Sequence, residues 1–167
     1  MNYTLSFLNS NKDELSFLLK KSIFNLNQLN IPALGSLEDL NHLENLFNSS
    51  SFIALIKINN NLLGFAIIMG SLSEYSSPNF LYFKKKYKDF MYIDRIAISE
   101  KYHRKGFGSL IYKELYNQSK NLDIPLCCEV NTKPINQQSL DFHKKLEFSI
   151  IEEISFGKKI VAMLVKN

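Results

Sequence analysis

A short basic turn with two glycines most constrains what this chain can fold into. The turn spans residues 103–110, follows a strand-like run at 91–98 and opens a run with apolar residues at helical spacing. The first backbone N–H groups of such a helix lack partners, and the positive end of the helix dipole points the same way. Gly106 and Gly108 lack a Cβ, so an anion can approach the backbone closely. The turn predicts a pyrophosphate site; the alternative is a helix start with a solvated basic rim.

The spacing of this turn excludes two other phosphate-binding motifs. The sequence contains no G-x-x-x-x-G-K-[ST], so the turn is not the phosphate loop of a nucleotide-hydrolysing protein. Ile111 occupies the third glycine position of G-x-G-x-x-G, which excludes the dinucleotide-binding fingerprint as well.

The turn is similar to the acetyl-CoA-binding turn of the Gcn5-related N-acetyltransferase (GNAT) superfamily. The superfamily pattern is [QR]-x-x-G-x-[GA], placed after a strand. Gly106 and Gly108 match this pattern, and His103 stands where Gln or Arg is usual.

A second segment, residues 136–148, resembles the superfamily pattern N-x-x-[AS]-x-x-[FL]-[YH]-x-x-x-G-F. The segment has His143 where Tyr is commoner and Glu147 where Gly is usual. The two motifs follow each other in the expected order. Three further segments resemble a bacterial branch of the superfamily, namely residues 77–80, 92–96 and 128–131.

Apolar periodicity predicts the element order β-α-α-β-β-β-α-β-α-β-β in one domain, residues 1–167. The first helix is predicted to start within residues 10–14, where Asn11 and Glu14 have capping-box-like spacing. Residues 71–88 are predicted to be a polar and aromatic loop, which either folds back on the core or forms a wall of the acceptor pocket. The resemblance implies an α+β fold with a mixed, mostly antiparallel central sheet flanked by helices, whose strands splay apart at the CoA site.

The resemblance also implies which residues hold acetyl-CoA. The turn at 103–109 would bind the pyrophosphate, and the strand at 96–98 would pair its backbone with the pantetheine arm. The side-chain amide of Asn136 would contact the same arm, and it is also a candidate cap for the helix that follows. The expected CoA-binding residues are Ile96, Ala97, Ile98, His103, Arg104, Lys105, Gly106, Phe107, Gly108, Ser109 and Asn136.

Three residues are candidates for proton transfer. His143 lies where many relatives carry the Tyr that protonates the CoA sulfur, and imidazole can act as an acid near neutral pH; the alternative is a helix histidine without a catalytic part. Glu129 is the first candidate for the general base, because ribosomal-protein alanine N-acetyltransferases carry a glutamate in a similar strand. Asp94 is its rival, and it is otherwise a structural partner of Arg95.

Charge and composition limit the kinds of partner that the sequence predicts. A net charge of +4 suits a polyanionic ligand such as coenzyme A and is not the dense basic surface of a nucleic-acid binder. The run at 84–88 is interpreted as a solvated loop face, and the alternative is a role facing the substrate or CoA. Adjacent Cys127 and Cys128 suggest neither a disulfide framework nor a metal site, so a reducing cytoplasm is expected. No apolar run approaches the roughly 18 residues that span a bilayer, so no membrane partner is expected.

The expected activity is the transfer of an acetyl group from acetyl-CoA to a primary amine of a small molecule or of a peptide or protein N-terminus. No metal is expected to take part. A CoA-binding module without transfer activity is the alternative, because His103, His143 and Glu147 depart from the superfamily patterns. The sequence leaves open which amine is the acceptor and whether the chain forms a homodimer.

Overall fold

A computed structural model describes residues 2–167 and contains seven strands and five helices. The strands are β1 (Thr4–Asn9), β2 (Phe52–Ile58), β3 (Asn61–Gly70), β4 (Met91–Ile98), β5 (Leu126–Lys133), β6 (Ser149–Phe156) and β7 (Lys159–Lys166). The helices are α1 (Phe17–Gln28), α2 (Leu40–Ser49), α3 (Pro78–Lys86), α4 (Phe107–Asn121) and α5 (Gln137–Lys145). The predicted α+β class is confirmed.

The strands form one sheet with the order β1-β2-β3-β4-β5-β7-β6. All neighbours are antiparallel except β4 and β5, which run parallel and pair only at Met91–Leu126 and Tyr92–Cys127. The sheet is therefore two antiparallel half-sheets, β1–β4 and β5–β7, joined by a short parallel contact. Beyond Cys127 the two central strands separate, which confirms the predicted splay.

Each face of the sheet carries its own apolar core. One core contains side chains of α1, α2 and α3, and we call this side the α1–α3 face. The other core contains side chains of α4, and α5 packs against it, so we call it the α4–α5 face. Cys127 lies in the first core and Cys128 in the second, as expected for neighbouring residues of a strand.

Two predictions about local structure are wrong. The first helix begins at Phe17 rather than within residues 10–14, because the Ser16 hydroxyl accepts from the backbone N–H of Leu19 and caps the helix there. Residues 71–88 are not a loop throughout, since α3 starts with Pro78 at a favourable first position and buries Phe80 and Phe83.

A β-bulge in β4 places two consecutive charged side chains on the same face of the sheet. Ile67 pairs with Arg95 and the next residue of β3, Ile68, pairs with Ile93, which leaves Asp94 as the extra residue. A bulge shifts the alternation of side chains by one, so Asp94 and Arg95 both lie on the α1–α3 face.

Among residues 2–167, no helix is long and apolar enough to cross a membrane.

Candidate functional site

The gap between β4 and β5 is the centre of the candidate site. It opens just past the Tyr92–Cys127 pair, so the next residues of both strands line its apex. On β5 these residues alternate between faces: Cys128 belongs to the core on the α4–α5 face, and Glu129 therefore lies on the α1–α3 face. The gap has ionisable side chains on each face of the sheet.

Glu129 has an unusual environment for a carboxyl group. Its Oε2 atom is buried and has no hydrogen-bond partner of ordinary geometry, and the same holds for the Tyr92 hydroxyl and for Oδ1 of Asn79. Burial, and after it the charge of Asp94, raise the pKa of Glu129, nearby Tyr92 and Asn79 partly offset the rise, and the net pKa is about 8. At neutral pH this carboxyl group therefore holds a proton that it can release near pH 8.

Asp94 lies beside Glu129 but is already bound by its neighbours. Tyr75 donates a hydrogen bond from its hydroxyl to Oδ1 of Asp94 at 2.7 Å, and Arg95 donates from Nε to Oδ2 at 2.8 Å. The guanidinium of Arg95 also reaches α1 and the segment after it, with Nη1 3.0 Å from Oδ1 of Asn27 and 3.2 Å from the Gly35 carbonyl. Both carboxylate oxygens of Asp94 therefore have partners within the protein, including the Arg95 pairing that the sequence offered as the alternative to a role as base.

The glycine turn begins α4 as the sequence indicates. Gly106 is the N-cap residue with φ +85°, and no side chain caps the helix, so the first N–H groups are open to a ligand. A Cβ on Gly106 would find nothing within 4 Å, and a Cβ on Gly108 would meet only Phe142 at 3.5 Å and Ile98 at 3.9 Å. Arg104 and Lys105 are exposed beside these N–H groups. The residues present fit a polyphosphate.

The strand end before this turn is held by His103. Its imidazole lies with Nε2 2.7 Å from the carbonyl oxygen of Ile98, so the side chain ties the turn to β4. Residues 96–98 pair with β3 on one side, at Ala66, Phe65 and Gly64, while their other edge faces the gap. That edge can pair with an extended ligand, as the resemblance implied.

Asn136 and His143, the two predicted residues of the second motif, have different surroundings at helix α5. Asn136 is its N-cap and accepts from the backbone N–H of Ser139 at 3.1 Å, so the capping interpretation holds. His143 is 4% exposed, and both ring nitrogens have partners: Nδ1 is 2.7 Å from the Ser139 carbonyl and Nε2 is 2.7 Å from the Tyr112 hydroxyl. Burial lowers the pKa of His143, an effect that the Ser139 carbonyl partly offsets.

The structure divides the predicted site residues between the two faces. Asp94 and Glu129 meet on the α1–α3 face, while His143 and the turn at 103–109 lie on the α4–α5 face. The sequence did not single out Tyr92 or Tyr112 as site residues, and it placed Tyr75 and Asn79 only within the segment at 71–88, one interpretation of which was a wall of the acceptor pocket. Nothing in the sequence pattern links Tyr112 to His143, because the two residues are 31 positions apart on different helices.

Among the described residues, no group of three or more His, Cys, Asp or Glu side chains is placed to hold a metal ion. Cys127 and Cys128 are both buried and free. Lys84, on the run at 84–88, donates to the carbonyl of Ser73 at 3.3 Å and lies over the ring of Phe80.

The chain is similar to known proteins in sequence pattern and in fold. A family model described as the acetyltransferase (GNAT) family matches residues 21–148. The fold is similar to the ribosomal-protein-S18-alanine N-acetyltransferase from Escherichia coli, with TM-score 0.68 and 13% identity over 98% of this chain and 92% of that chain. It is also similar to Naa20 from Chaetomium thermophilum in complex with a bisubstrate analogue, with TM-score 0.68 and 14% identity over 98% and 85% of the two chains.

A third similar structure is the NatC complex bound to Gag peptide and CoA, with TM-score 0.66 and 12% identity over 99% of this chain and 98% of that chain. At these identities the likeness shows the fold alone. A comparison with curated protein sequences gives no match.

Proposed function

The chain belongs to the GNAT acetyltransferase family, and from that premise we propose that it transfers an acetyl group from acetyl-CoA to a primary amine. The acceptor is a small molecule or the N-terminus of a peptide or protein. In this transfer the thioester C–S bond breaks and a C–N bond forms. One proton leaves the amine nitrogen and one proton is taken up by the sulfur.

The observation that carries the proposal is the position of Glu129 at the apex of the gap. Its buried carboxyl group faces the α1–α3 side, whereas the anion-binding turn at 103–109 begins α4 on the opposite side. A thioester reaching the apex from the turn would therefore meet an amine that arrives from the α1–α3 side. The two substrates would approach the same point from opposite faces of the sheet.

Glu129 is our candidate for the base that takes the amine proton. A pKa of about 8 matches the range in which an α-amino group loses its proton, so proton transfer between an α-amine and Glu129 costs little. Asp94 is less suited to this role, because Tyr75 and Arg95 occupy its two carboxylate oxygens. Helix α3 and the residues before it supply Asn79 and Tyr75, and we propose that the segment 71–88 forms part of the acceptor wall.

The CoA-binding residues are proposed from the turn and from the open edge of β4. The N–H groups at the start of α4, together with Arg104 and Lys105, would hold the pyrophosphate. The edge at 96–98 would pair with the pantetheine arm, and Asn136 would orient the start of α5 beside it. The NatC structure, which is similar in fold, was solved with CoA.

An assay of thiol release tests the function. The wild-type protein should release free CoA from acetyl-CoA in the presence of at least one member of a panel of amines, amino-acid derivatives and short peptides. Glu129→Gln should lower kcat by about 100- to 10,000-fold while CoA affinity stays the same, as expected for the loss of a general base. Glu153→Gln, on the exposed edge strand β6, is the matched control and should retain full activity.

Three outcomes would contradict the proposal or one of its assignments. Tight binding of CoA without turnover on any acceptor would favour the CoA-binding module, and unchanged kcat in Glu129→Gln would remove Glu129 from the base role. If Asp94→Asn instead lost activity without losing stability, the roles of the two carboxylates would be reversed.

A further inference from the structure

A buried hydrogen-bonded chain joins α5 to α4 on the α4–α5 face. It runs from the Ser139 carbonyl to Nδ1 of His143 at 2.7 Å, and from Nε2 of His143 to the Tyr112 hydroxyl at 2.7 Å. A carbonyl oxygen only accepts, so Nδ1 must carry a proton. In the neutral imidazole Nε2 is then bare, and the Tyr112 hydroxyl donates to it.

The chain ends at the apex of the gap between β4 and β5. Tyr112 and Cys128 belong to the same buried core on the α4–α5 face, and Cys128 is the first residue of β5 past its last pair with β4. The next residue, Glu129, faces the other way. Tyr112 and Glu129 therefore flank the apex from opposite faces of the sheet.

The chemistry of the proposed function requires proton transfer at both of these places. The amine loses a proton on one side of the acetyl carbon, and the sulfur gains a proton on the other. We propose that Tyr112 is the catalytic residue that protonates the sulfur, and that His143 acts through Tyr112 as a positioning and proton-supplying residue. This inference rests on the proposed transfer of an acetyl group from acetyl-CoA.

Each proton that moves in this step has a donor in the observed hydrogen-bonded chain, and its acceptor is Tyr112 or the sulfur. His143 starts as the imidazolium with a proton taken from solvent, which is balanced when Glu129 returns the amine proton to solvent, and its Nδ1 proton stays hydrogen-bonded to the Ser139 carbonyl. Its Nε2 proton passes to the Tyr112 oxygen as the Tyr112 proton passes to the sulfur, and the C–S bond electrons become the sulfur lone pair that is protonated. Tyr112 ends as a neutral phenol and His143 as the neutral imidazole described above.

The electrostatics agree with this direction of transfer. Burial, followed by the charges of Cys128 and Glu129, raises the pKa of Tyr112, so a lasting phenolate is disfavoured. Burial lowers the pKa of His143, so its imidazolium gives up a proton readily. The imidazole also lies near the Ser139 hydroxyl, 3.3 Å from Nδ1, and near the rings of Phe142 and Phe148, with centroids 5.4 and 5.3 Å away; none of these groups brings a charge to the pair.

The alternative is that His143 donates to the sulfur directly and Tyr112 only packs. Direct donation would need the Tyr112 hydroxyl to leave Nε2, the one ring nitrogen not bound to the backbone. The Tyr112 hydroxyl would then be buried without its partner, a loss that costs about 1–3 kcal/mol. Relay through Tyr112 keeps both hydrogen bonds.

Variants of the pair distinguish the two routes. Tyr112→Phe keeps the ring that packs on Phe142 and Phe148 and removes only the hydroxyl. The relay predicts that Tyr112→Phe and His143→Asn each lower kcat by about 100-fold or more, and that the double variant is no slower than Tyr112→Phe alone. Tyr116→Phe, one turn further along α4, is the matched control and should keep wild-type kcat, because its hydroxyl bonds to the Asn167 carbonyl.

A measurement on bound CoA tests the relay without turnover. The ultraviolet absorbance of the thiolate, followed against pH, gives the pKa of the bound thiol, and calorimetry gives the affinity. The relay predicts that Tyr112→Phe changes this pKa by about one unit or more while Tyr116→Phe does not. Nitrogen NMR of the free protein should place the His143 proton on Nδ1.

Each result decides the inference. A kcat within twofold of wild type in Tyr112→Phe, together with an unchanged thiol pKa, would overturn the role of Tyr112 and return the acid role to His143. If no amine is acetylated but Tyr112→Phe shifts the pKa of the bound thiol, the transfer proposal fails while Tyr112 remains the group that contacts the sulfur. A wild-type protein that does not bind CoA would overturn both.

Discussion

Arg95 donates from Nε to Oδ2 of Asp94, the residue directly before it, across 2.8 Å, although consecutive residues of a strand ordinarily point to opposite faces. The bulge at Asp94 makes this pairing possible, because it returns both side chains to the α1–α3 face. The pair is largely buried, with 5% of the Asp94 side chain and 11% of the Arg95 side chain exposed. Arg95 therefore stabilises a carboxylate beside Glu129 and leaves Glu129 as the carboxyl group without an ionic partner.

Removal of Arg95 should destabilise the fold strongly. Arg95→Met keeps much of the side-chain volume but leaves the charge of Asp94 buried without its partner, and breaking a buried pair in this way costs about 3–5 kcal/mol. Urea unfolding measures the loss. The double variant Asp94→Asn with Arg95→Met should recover most of it, because no uncompensated charge remains. A loss below about 1 kcal/mol in Arg95→Met would mean that Tyr75 alone stabilises Asp94.

Glu129 should make the protein less stable as the pH rises. Its pKa is about 8 in the folded protein against an ordinary 4.5, so the folded state retains a proton that the unfolded state has released between these values. The contribution is fully present below about pH 4.5, falls by at most about 1.4 kcal/mol per pH unit, and is lost once the pH has risen through about 8.

The difference in unfolding free energy between wild type and Glu129→Gln, measured from pH 5 to pH 9, isolates this contribution. Wild type should lose stability relative to the variant as the pH increases. Glu153→Gln, an exposed carboxyl group on β6, should run parallel to wild type. A parallel profile in Glu129→Gln would show that its carboxyl group titrates normally.

A carboxylate at the turn should abolish binding of acetyl-CoA. Gly108→Asp adds a Cβ and a negative charge where the phosphate would approach, and affinity measured by calorimetry should fall by at least about 100-fold, or about 2.7 kcal/mol. The fold should persist, since a Cβ at residue 108 meets its nearest atom, on Phe142, at 3.5 Å. Gly108→Ala is the control for the Cβ alone. Unchanged affinity in Gly108→Asp would refute the pyrophosphate site.

Glu147 has a backbone conformation that glycine would adopt more easily. Its φ is +63° at the end of α5, where the superfamily pattern has Gly. Glu147→Gly should raise the unfolding free energy by about 1 kcal/mol, because a left-handed conformation costs that much for a residue with a Cβ. The ion pair from Lys166 at 3.0 Å adds little, since the Glu147 side chain is 85% exposed. Glu147→Gln, which keeps the strained φ, should leave stability nearly unchanged.

The sequence predicted the backbone of the site better than its side-chain contacts. The turn at 103–109 follows from the local conformational preference of glycine, and the opposite faces of Cys127 and Cys128 follow from strand alternation. The bulge at Asp94 could not be predicted in this way. It is a shift in pairing between two strands, and neither strand alone carries a signal for it.

The sequence pattern also could not predict contacts between segments that are far apart in the chain. Asn79 approaches Glu129, and Tyr112 meets His143, only because α3 and α5 dock on opposite faces of one sheet. Helix α3 itself was missed because its short apolar set, Phe80 and Phe83, stands among lysines and tyrosines that suggested a loop. Tertiary packing decided its conformation.

The brief contact between the half-sheets β1–β4 and β5–β7 has a mechanical consequence. Two residue pairs are all that join their backbones, so the angle between the half-sheets is determined mainly by side chains and by whatever occupies the gap. An extended molecule bound along β4 would take the place of a strand in the gap and would add contacts between the two half-sheets. Occupancy of the gap would then control stiffness, and the protein would be most rigid at the moment when its substrates are in place.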